Sequence, residues 1–313
     1  MNRSLKLLTD WLLYALFSLA GVLIRSLSIE QTYRLAQRIG GWLYHTLKLR
    51  RSLTERNLRN AFPELSESEL QRIARGAYDT QVINLFEMLR LPLIKTVEDA
   101  KKIFVEVQSA EAEQKCFQQG KGCVFVSAHF GNWELMGVCA GMIWRPATII
   151  TKAQSNKFID RKINLWRTRF GNTLTEMAQS PRVILRDLKQ GKLVAILADQ
   201  AGSEEGHYLT FLGQDASVFL GAAYFALRTA TPMFLGMAVR TGTGTYRMEF
   251  TEIPTADLTF TPRHIELLAA RYIAAIETYI RAYPSLWLWL HNRWKYQKPA
   301  LRAAALHITV EEH

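Results

Sequence analysis

Apolar positions along the chain fall into three regimes. From Trp11 to Ile24 they are nearly continuous (WLLYALFSLAGVLI). Between Ile29 and Leu91 they recur at the spacing of amphipathic helices. From about Val105 onward short β-type runs alternate with helical stretches. The β-type runs lie at 123–128, 147–151, 193–198, 233–240 and 246–253, and the helical patterns at about 133–143, 156–170, 180–190, 216–229 and 262–282. This alternation predicts an α/β fold: a mixed, mostly parallel central sheet flanked by helices, preceded by an N-terminal membrane-associated helical segment. Gly242-Thr243-Gly244 predicts a late hairpin, which gives the sheet its antiparallel part. Within the second regime the pattern breaks at Phe62-Pro63-Glu64-Leu65, and Ser66 with Glu69 three residues on predicts a capping box that starts the next helix.

These regimes divide the chain into a membrane-anchoring helix (1–28), a helical, basic membrane-proximal segment (29–104), an α/β domain (105–298) and a C-terminal tail (299–313). The first apolar run is shorter than the roughly 20 residues that cross a bilayer. It lacks a small-residue cleavage site, because amphipathic sequence simply continues. The expectation is an uncleaved helix embedded in the membrane or lying on it, with the question of crossing left open. The stretch 48–59 (KLRRSLTERNLR) is densely basic. Beside an anionic leaflet each such charge is worth about 1 kcal/mol.

The net charge of +11 and pI near 9.6 favour acidic partners. Nucleic acid is not expected among them, since the chain has no zinc-finger spacing, basic zipper or RNA-recognition aromatics. Anionic lipid and an acidic carrier protein remain. Cys116, Cys123 and Cys139 are expected to be buried reduced thiols, and the seven scattered histidines predict no metal site.

The densest candidate chemistry is His129-Phe130-Gly131-Asn132-Trp133-Glu134, where an apolar strand turns into a helix. Asn132 is a candidate N-cap, and Glu134 falls in the first turn, where a carboxylate suits the helix dipole. Such a junction lies at the carboxyl end of a strand, where open α/β sheets bind ligands. A neutral imidazole held in one tautomer by a carboxylate can act as general base toward a hydroxyl. The plainer reading is a strand-end histidine bonded to backbone, with Glu134 completing the turn. No G-x-S-x-G elbow, P-loop or G-x-G-x-x-G follows a strand, so His129 and Glu134 would act on a hydroxyl or amine of the substrate. Asp199-Gln200 also ends a strand and is expected to face the crevice.

Taken in order, several blocks resemble one family. They are Arg56-Asn57-Leu58-Arg59-Asn60-Ala61-Phe62-Pro63-Glu64-Leu65, HFGNWE at 129–134, Ala198-Asp199-Gln200, Phe211-Leu212-Gly213 and the segment from Pro284 to Lys295 (PSLWLWLHNRWK). With the apolar amino helix, these resemble the late acyltransferases of lipid A biosynthesis, within the wider lysophospholipid and glycerophosphate acyltransferase superfamily, over nearly the whole chain. The resemblance implies a membrane-associated O-acyltransferase at the cytoplasmic face of a bacterial inner membrane. It would take an acyl chain from an acyl carrier protein or CoA thioester and pass it to a hydroxyl of a lipid A precursor or related glycolipid, without metal or other cofactor. It implies His129 as base and Glu134 as the residue that orients it. Asn132, Asp199 and Gln200 would help place the acceptor, and one or more of Arg161, Arg167 and Arg169 would grip a phosphate. The sequence departs from the family at 151–157 (TKAQSNK), where an Arg-Pro segment and a later Asn-Pro are usual. That leaves glycerophospholipid, lysolipid or aminolipid acceptors open, as well as a thioesterase side activity or a non-catalytic lipid-binding role. Trp287, Trp289, Trp294, Phe211 and Phe219 are candidates for an acyl groove, the membrane interface or the core. Arg293 and Lys295 are candidates for docking phosphate or carrier.

Overall fold

Helical periodicity in the first third yields α1 (Arg3–Ser26), α2 (Ile29–Trp42), α3 (Arg51–Ala61), α4 (Glu67–Arg90) and the short α5 (Val97–Ile103). Residues described in this computed structural model are 3–108, 122–177, 179–296 and 298. Ser66 accepts from the amide of Glu69 while the Glu69 carboxylate accepts from the Ser66 amide at 2.9 Å, so α4 starts at the expected capping box. The helical stretch breaks twice rather than once. Lys48 and Arg50 take left-handed backbone angles (φ 50° and 56°), and this turn separates α3 from the π-helical end of α2. A basic run with neither glycine nor proline gives no local sign of such a turn.

The sheet comprises β1 (Phe104–Gln108), β2 (Cys123–Ser127), β3 (Ala147–Thr151), β4 (Thr173–Glu176), β5 (Leu193–Leu197), β8 (Met233–Gly242) and β9 (Thr245–Ile253); β6 (His207–Phe211) and β7 (Gln214–Val218) form a separate antiparallel ribbon. The order across the sheet is β1-β9-β8-β2-β5-β3-β4. All pairings in it are parallel except the β8–β9 hairpin. Between the strands run α6 (Trp133–Ile143), α7 (Lys157–Thr168), α8 (Ser180–Lys189), α9 (Gly221–Thr229) and α10 (Pro262–Ala282). The fold is therefore the expected mixed, mostly parallel sheet between helices, and the change from helices to sheet falls at Phe104. The tail at 299–313 lies outside the described residues.

Each of the five β-type runs became a strand, since a strand covered on both faces is apolar throughout; all five residues of β2 are buried. The strands not foreseen are β1, β4, β6 and β7, whose sequences (FVEVQ, TLTE, HYLTF, QDASV) carry polar residues on an open face. Residues 216–218, expected to open a helix, belong instead to β7, and α9 begins only at Gly221.

Two features of the fold bear on the site. Helix α4 lies between the N-terminal helices and the sheet, with Val82, Ile83, Phe86 and Leu89 packed against Ile24, Tyr33 and Ala36. Strands β2 and β5 are parallel neighbours with Ser127 opposite Leu197, so their carboxyl ends emerge side by side. Cys139 is a free, fully buried thiol, which burial pushes up to about 12. Cys123 is disulfide-bonded, contrary to expectation; an odd number of cysteines does not exclude a bonded one. Cys116 lies outside the described residues.

Candidate active site

The apolar run of β2 ends at Ser127, and the chain must turn before α6. Gly131 makes the turn, at φ +54°. A Cβ there would sit 1.8 Å from the Ala238 carbonyl oxygen, so both the angle and the space require glycine. Its amide donates to the Leu286 carbonyl at 3.0 Å, and its carbonyl accepts from Asn84 of α4 at 2.6 Å. Asn132 caps α6, accepting from the Leu135 amide at 3.1 Å. Its side-chain N–H donates at 2.8 Å to Glu87, a carboxylate that also accepts from the Tyr33 and Tyr246 hydroxyls, each at 2.6 Å.

This turn holds His129 just past the carboxyl end of β2, its side chain 17% exposed. The ring lies 4.9 Å from that of Trp133, edge to face. Because β5 ends beside β2, Asp199 reaches the imidazole: its Oδ1 lies 2.8 Å from Nδ1, and its Oδ2 accepts from the His129 amide at 2.9 Å. Oδ2 also accepts from the Trp287 indole N–H at 2.8 Å. Burial pushes the Asp199 carboxyl upward, but the imidazole, that amide and the indole outweigh it and hold it below the usual carboxylate range. An ionised carboxylate can only accept, so Nδ1 carries the proton and Nε2 presents its lone pair outward. The Gln200 side-chain nitrogen sits 3.1 Å from Nε2 and donates to it.

The expected pairing of His129 with Glu134 is not what the structure contains. The Glu134 carboxylate is gripped bidentately by Arg167, Nε to Oε2 at 2.9 Å and NH2 to Oε1 at 2.6 Å. Burial alone would push Arg167 down; Glu134 overrides it and the guanidinium stays charged. The reason is geometric. Glu134 lies on the first turn of α6 facing α7, whereas Asp199 comes from the neighbouring strand end on the imidazole's own side.

The other expected site residues divide. Gln200 reaches the imidazole. Asp199 does too, but with both oxygens occupied by His129 and Trp287 it is turned away from any acceptor. Asn132 is fully buried with both ends of its amide used, so it is not open to substrate. Arg161 on α7 and Arg169 at its carboxyl end are exposed, and Arg169 donates to the Pro92 carbonyl at 3.4 Å and lies 5.2 Å from the Phe170 ring. Trp287, Trp289 and Phe211 are core residues, while Phe219 is about half exposed. Arg293, a candidate for surface docking, is fully buried, with its guanidinium 4.8 Å above the Phe211 ring and donating to the Ser217 carbonyl at 2.7 Å. Sequence reasoning missed Glu87 and Asn84, which support this turn from α4 and look like ordinary polar positions on a helix. Trp287 was a candidate for groove, interface or core, and its bond to Asp199 was not foreseen.

Burial also pushes His291 in the same C-terminal loop down to about 4, and its Nε2 is buried without a hydrogen-bond partner among the described residues. Its folded value lies below the unfolded 6.5, so the unfolded chain binds the extra proton between the two. Stability is therefore expected to be complete above about pH 6.5 and to fall as the pH drops toward 4. Urea midpoints of the detergent-solubilised protein at pH 7.5, 6 and 5 check this, and His291→Gln should flatten the profile.

A family model for bacterial lipid A biosynthesis acyltransferases matches residues 1–296. The chain is 21% identical over 261 residues to a lipid A biosynthesis acyltransferase of Haemophilus influenzae, covering 82% of this chain and 79% of that protein. It is 23% identical over 274 residues to a lipid A biosynthesis palmitoleoyltransferase of Escherichia coli, covering 83% and 84%. It is also 24% identical over 179 residues to a phosphatidylinositol mannoside acyltransferase of Mycolicibacterium smegmatis, covering 56% and 57%.

Proposed function

Because the chain belongs to the bacterial lipid A biosynthesis acyltransferase family, we propose that it moves a fatty acyl chain from an acyl thioester to a hydroxyl of a lipid A precursor or related glycolipid, with His129 as general base. The observation that carries this reading is the Asp199 carboxylate on His129 Nδ1, which leaves Nε2 of a partly exposed imidazole a proton acceptor. Nε2 takes the acceptor hydroxyl's proton as its oxygen attacks the thioester carbonyl. The tetrahedral intermediate then collapses, the carbon–sulfur bond breaks, and the imidazolium returns the proton to the leaving thiolate. Gln200, bonded to Nε2 in the resting site, occupies the place of the incoming hydroxyl and turns aside when it binds. The amino end of α6, two residues beyond the turn, offers its positive dipole end to the developing oxyanion. The Glu134–Arg167 pair sets a fixed charge pair beside this end, where the guanidinium can meet an acceptor phosphate. As written, the reaction needs no cofactor beyond the thioester donor.

The donor is an acyl carrier protein or acyl-CoA; the net charge of +11 favours the acidic carrier. We place the reaction at the cytoplasmic face of the inner membrane, on the strength of the apolar amino helix and the lipid acceptor. A second acceptor class, a phosphoinositide-type or other glycolipid, is favoured by the similarity to the mannoside acyltransferase and by the departure at 151–157.

Purified protein supplied with radiolabelled acyl carrier protein or acyl-CoA, and with lipid A precursors, acylated glycolipids and lysophospholipids in turn, is expected to acylate a sugar-bearing acceptor. Mass spectrometry of the product identifies the ester. Acylation of lysophospholipid alone would overturn the acceptor reading, and release of free fatty acid alone would mark a thioesterase.

A further inference from the structure

Helix α1 is inside out. Its body-facing stripe is Asp10, Tyr14, Phe17, Ser18, Gly21, Ile24 and Arg25, at helical spacing, and between Asp10 and Arg25 this stripe carries the polar positions. The Asp10 carbonyl accepts from Asn156 at 2.7 Å, and the Ser18 hydroxyl accepts from the Lys162 ammonium at 2.9 Å. Phe17 stacks on Trp166 at 6.0 Å, and Tyr14 meets Phe158 at 5.9 Å. Within the last turn, Arg25 donates to the Leu89 carbonyl at 3.0 Å and the Ile24 carbonyl accepts from Arg90 at 3.0 Å. From Trp11 to Leu23 the outward stripe is apolar: Trp11, Leu12, Leu16, Leu19, Val22 and Leu23 are all about half exposed or more. A surface helix of a soluble protein is arranged the other way round, and a patch of this size marks a contact with something apolar.

The segment Ser4–Ser26 is long and apolar enough to cross a bilayer, and only 11% of its most apolar 18-residue stretch is buried, so it is not a core helix. The way it is attached argues against crossing. A spanning α1 would fill the ~30 Å hydrocarbon layer with its ~36 Å length, and would put Tyr14 to Ser18 near the midplane. Those are the turns held by α7, whose Lys157, Asp160, Arg161 and Lys162 would then lie in hydrocarbon, where charged side chains are costly. Laid in the plane of the interface, α1 sinks its apolar stripe into the acyl boundary and leaves α7 at headgroup level. There the exposed Leu165 and Phe158 meet lipid and the exposed Lys157 and Arg161 meet phosphate.

We infer that α1 and the outer edge of α7 form one membrane-embedding face that docks in-plane on an anionic phospholipid leaflet, so that α1 does not cross the bilayer and both chain ends stay on the same side. This rests on the membrane location proposed above and fixes its geometry.

The test uses the full chain with a protease-cleavable epitope tag before Met1 and a second after His313. In sealed spheroplasts both tags are expected to survive external protease, and both to be cleaved after permeabilisation. Cleavage of the amino-terminal tag alone in sealed cells would show that α1 crosses and would overturn the inference while leaving a membrane-bound enzyme. In a second arm, purified protein is sedimented with phosphatidylglycerol/phosphatidylcholine vesicles. The variant L12E/L16E/L19E, with helical circular dichroism unchanged, is expected to bind at least tenfold more weakly. Equal binding by that variant would remove α1 from the docking face. Failure of the wild-type chain to bind the vesicles, or to appear in the membrane fraction, would instead sink the membrane location itself.

Discussion

Replacing His129 with alanine is expected to lower acyl transfer by ~10²–10⁴-fold, the usual contribution of a general base, or about 3–5 kcal/mol of barrier. The protein should still fold. The imidazole is partly exposed rather than enclosed in the core, and removing it takes one hydrogen bond from Asp199. The carboxylate keeps the His129 amide and the Trp287 indole, so the lost bond costs about 1–3 kcal/mol. Single-turnover assays with a labelled acyl donor, beside a thermal melt, separate the two effects. Near-normal turnover by a folded His129→Ala variant would remove this residue from the chemistry and leave the proposed mechanism without a base.

What could be read from the sequence follows a physical division. Strands covered on both faces announce themselves as apolar runs, and so β2, β3, β5, β8 and β9 were expected within a residue or two of their observed ends. Exposed strands such as β4 alternate too briefly to stand out. The histidine was legible because a strand-to-helix turn with an N-cap is a local pattern, and the cap forms as expected. Its partner was not: the local pattern pointed to Glu134, and Asp199 was expected to place the acceptor. Glu134 is near in sequence and Asp199 is 70 residues away. Only the pairing of β2 with β5, which sets Ser127 opposite Leu197, decides between them. The same holds for Glu87. Its place beneath Asn132 depends on α4 crossing behind the turn, and no spacing within α4 records that.

Replacement of Asp199 by asparagine tests the pairing that the sequence could not settle. Asparagine offers one oxygen and one NH₂ where three N–H groups now meet two oxygens. Turned so that its NH₂ meets the His129 amide and the indole, it would set donor against donor twice. Turned the other way it faces Nδ1 alone, and the imidazole can answer by moving its proton to Nε2. The second arrangement is the cheaper one, and it leaves Nε2 a donor unable to accept the hydroxyl proton. The expected result is a fall in kcat of the order of 10²–10⁴-fold with KM for the acceptor nearly unchanged, because the interaction lost is one made in the transition state. The same tautomer reversal costs about 10⁴-fold in serine hydrolase triads. Stability should drop by about 1–3 kcal/mol, as a buried charge-assisted network becomes a neutral one. ¹⁵N spectra of the labelled imidazole should show the protonated nitrogen shift from Nδ1 to Nε2. If Asp199 instead places the acceptor, as its position at a strand end first suggested, KM would rise while the tautomer and kcat stayed as they are. Glu134→Gln provides the contrast: it breaks the pair with Arg167 and should leave the imidazole tautomer untouched.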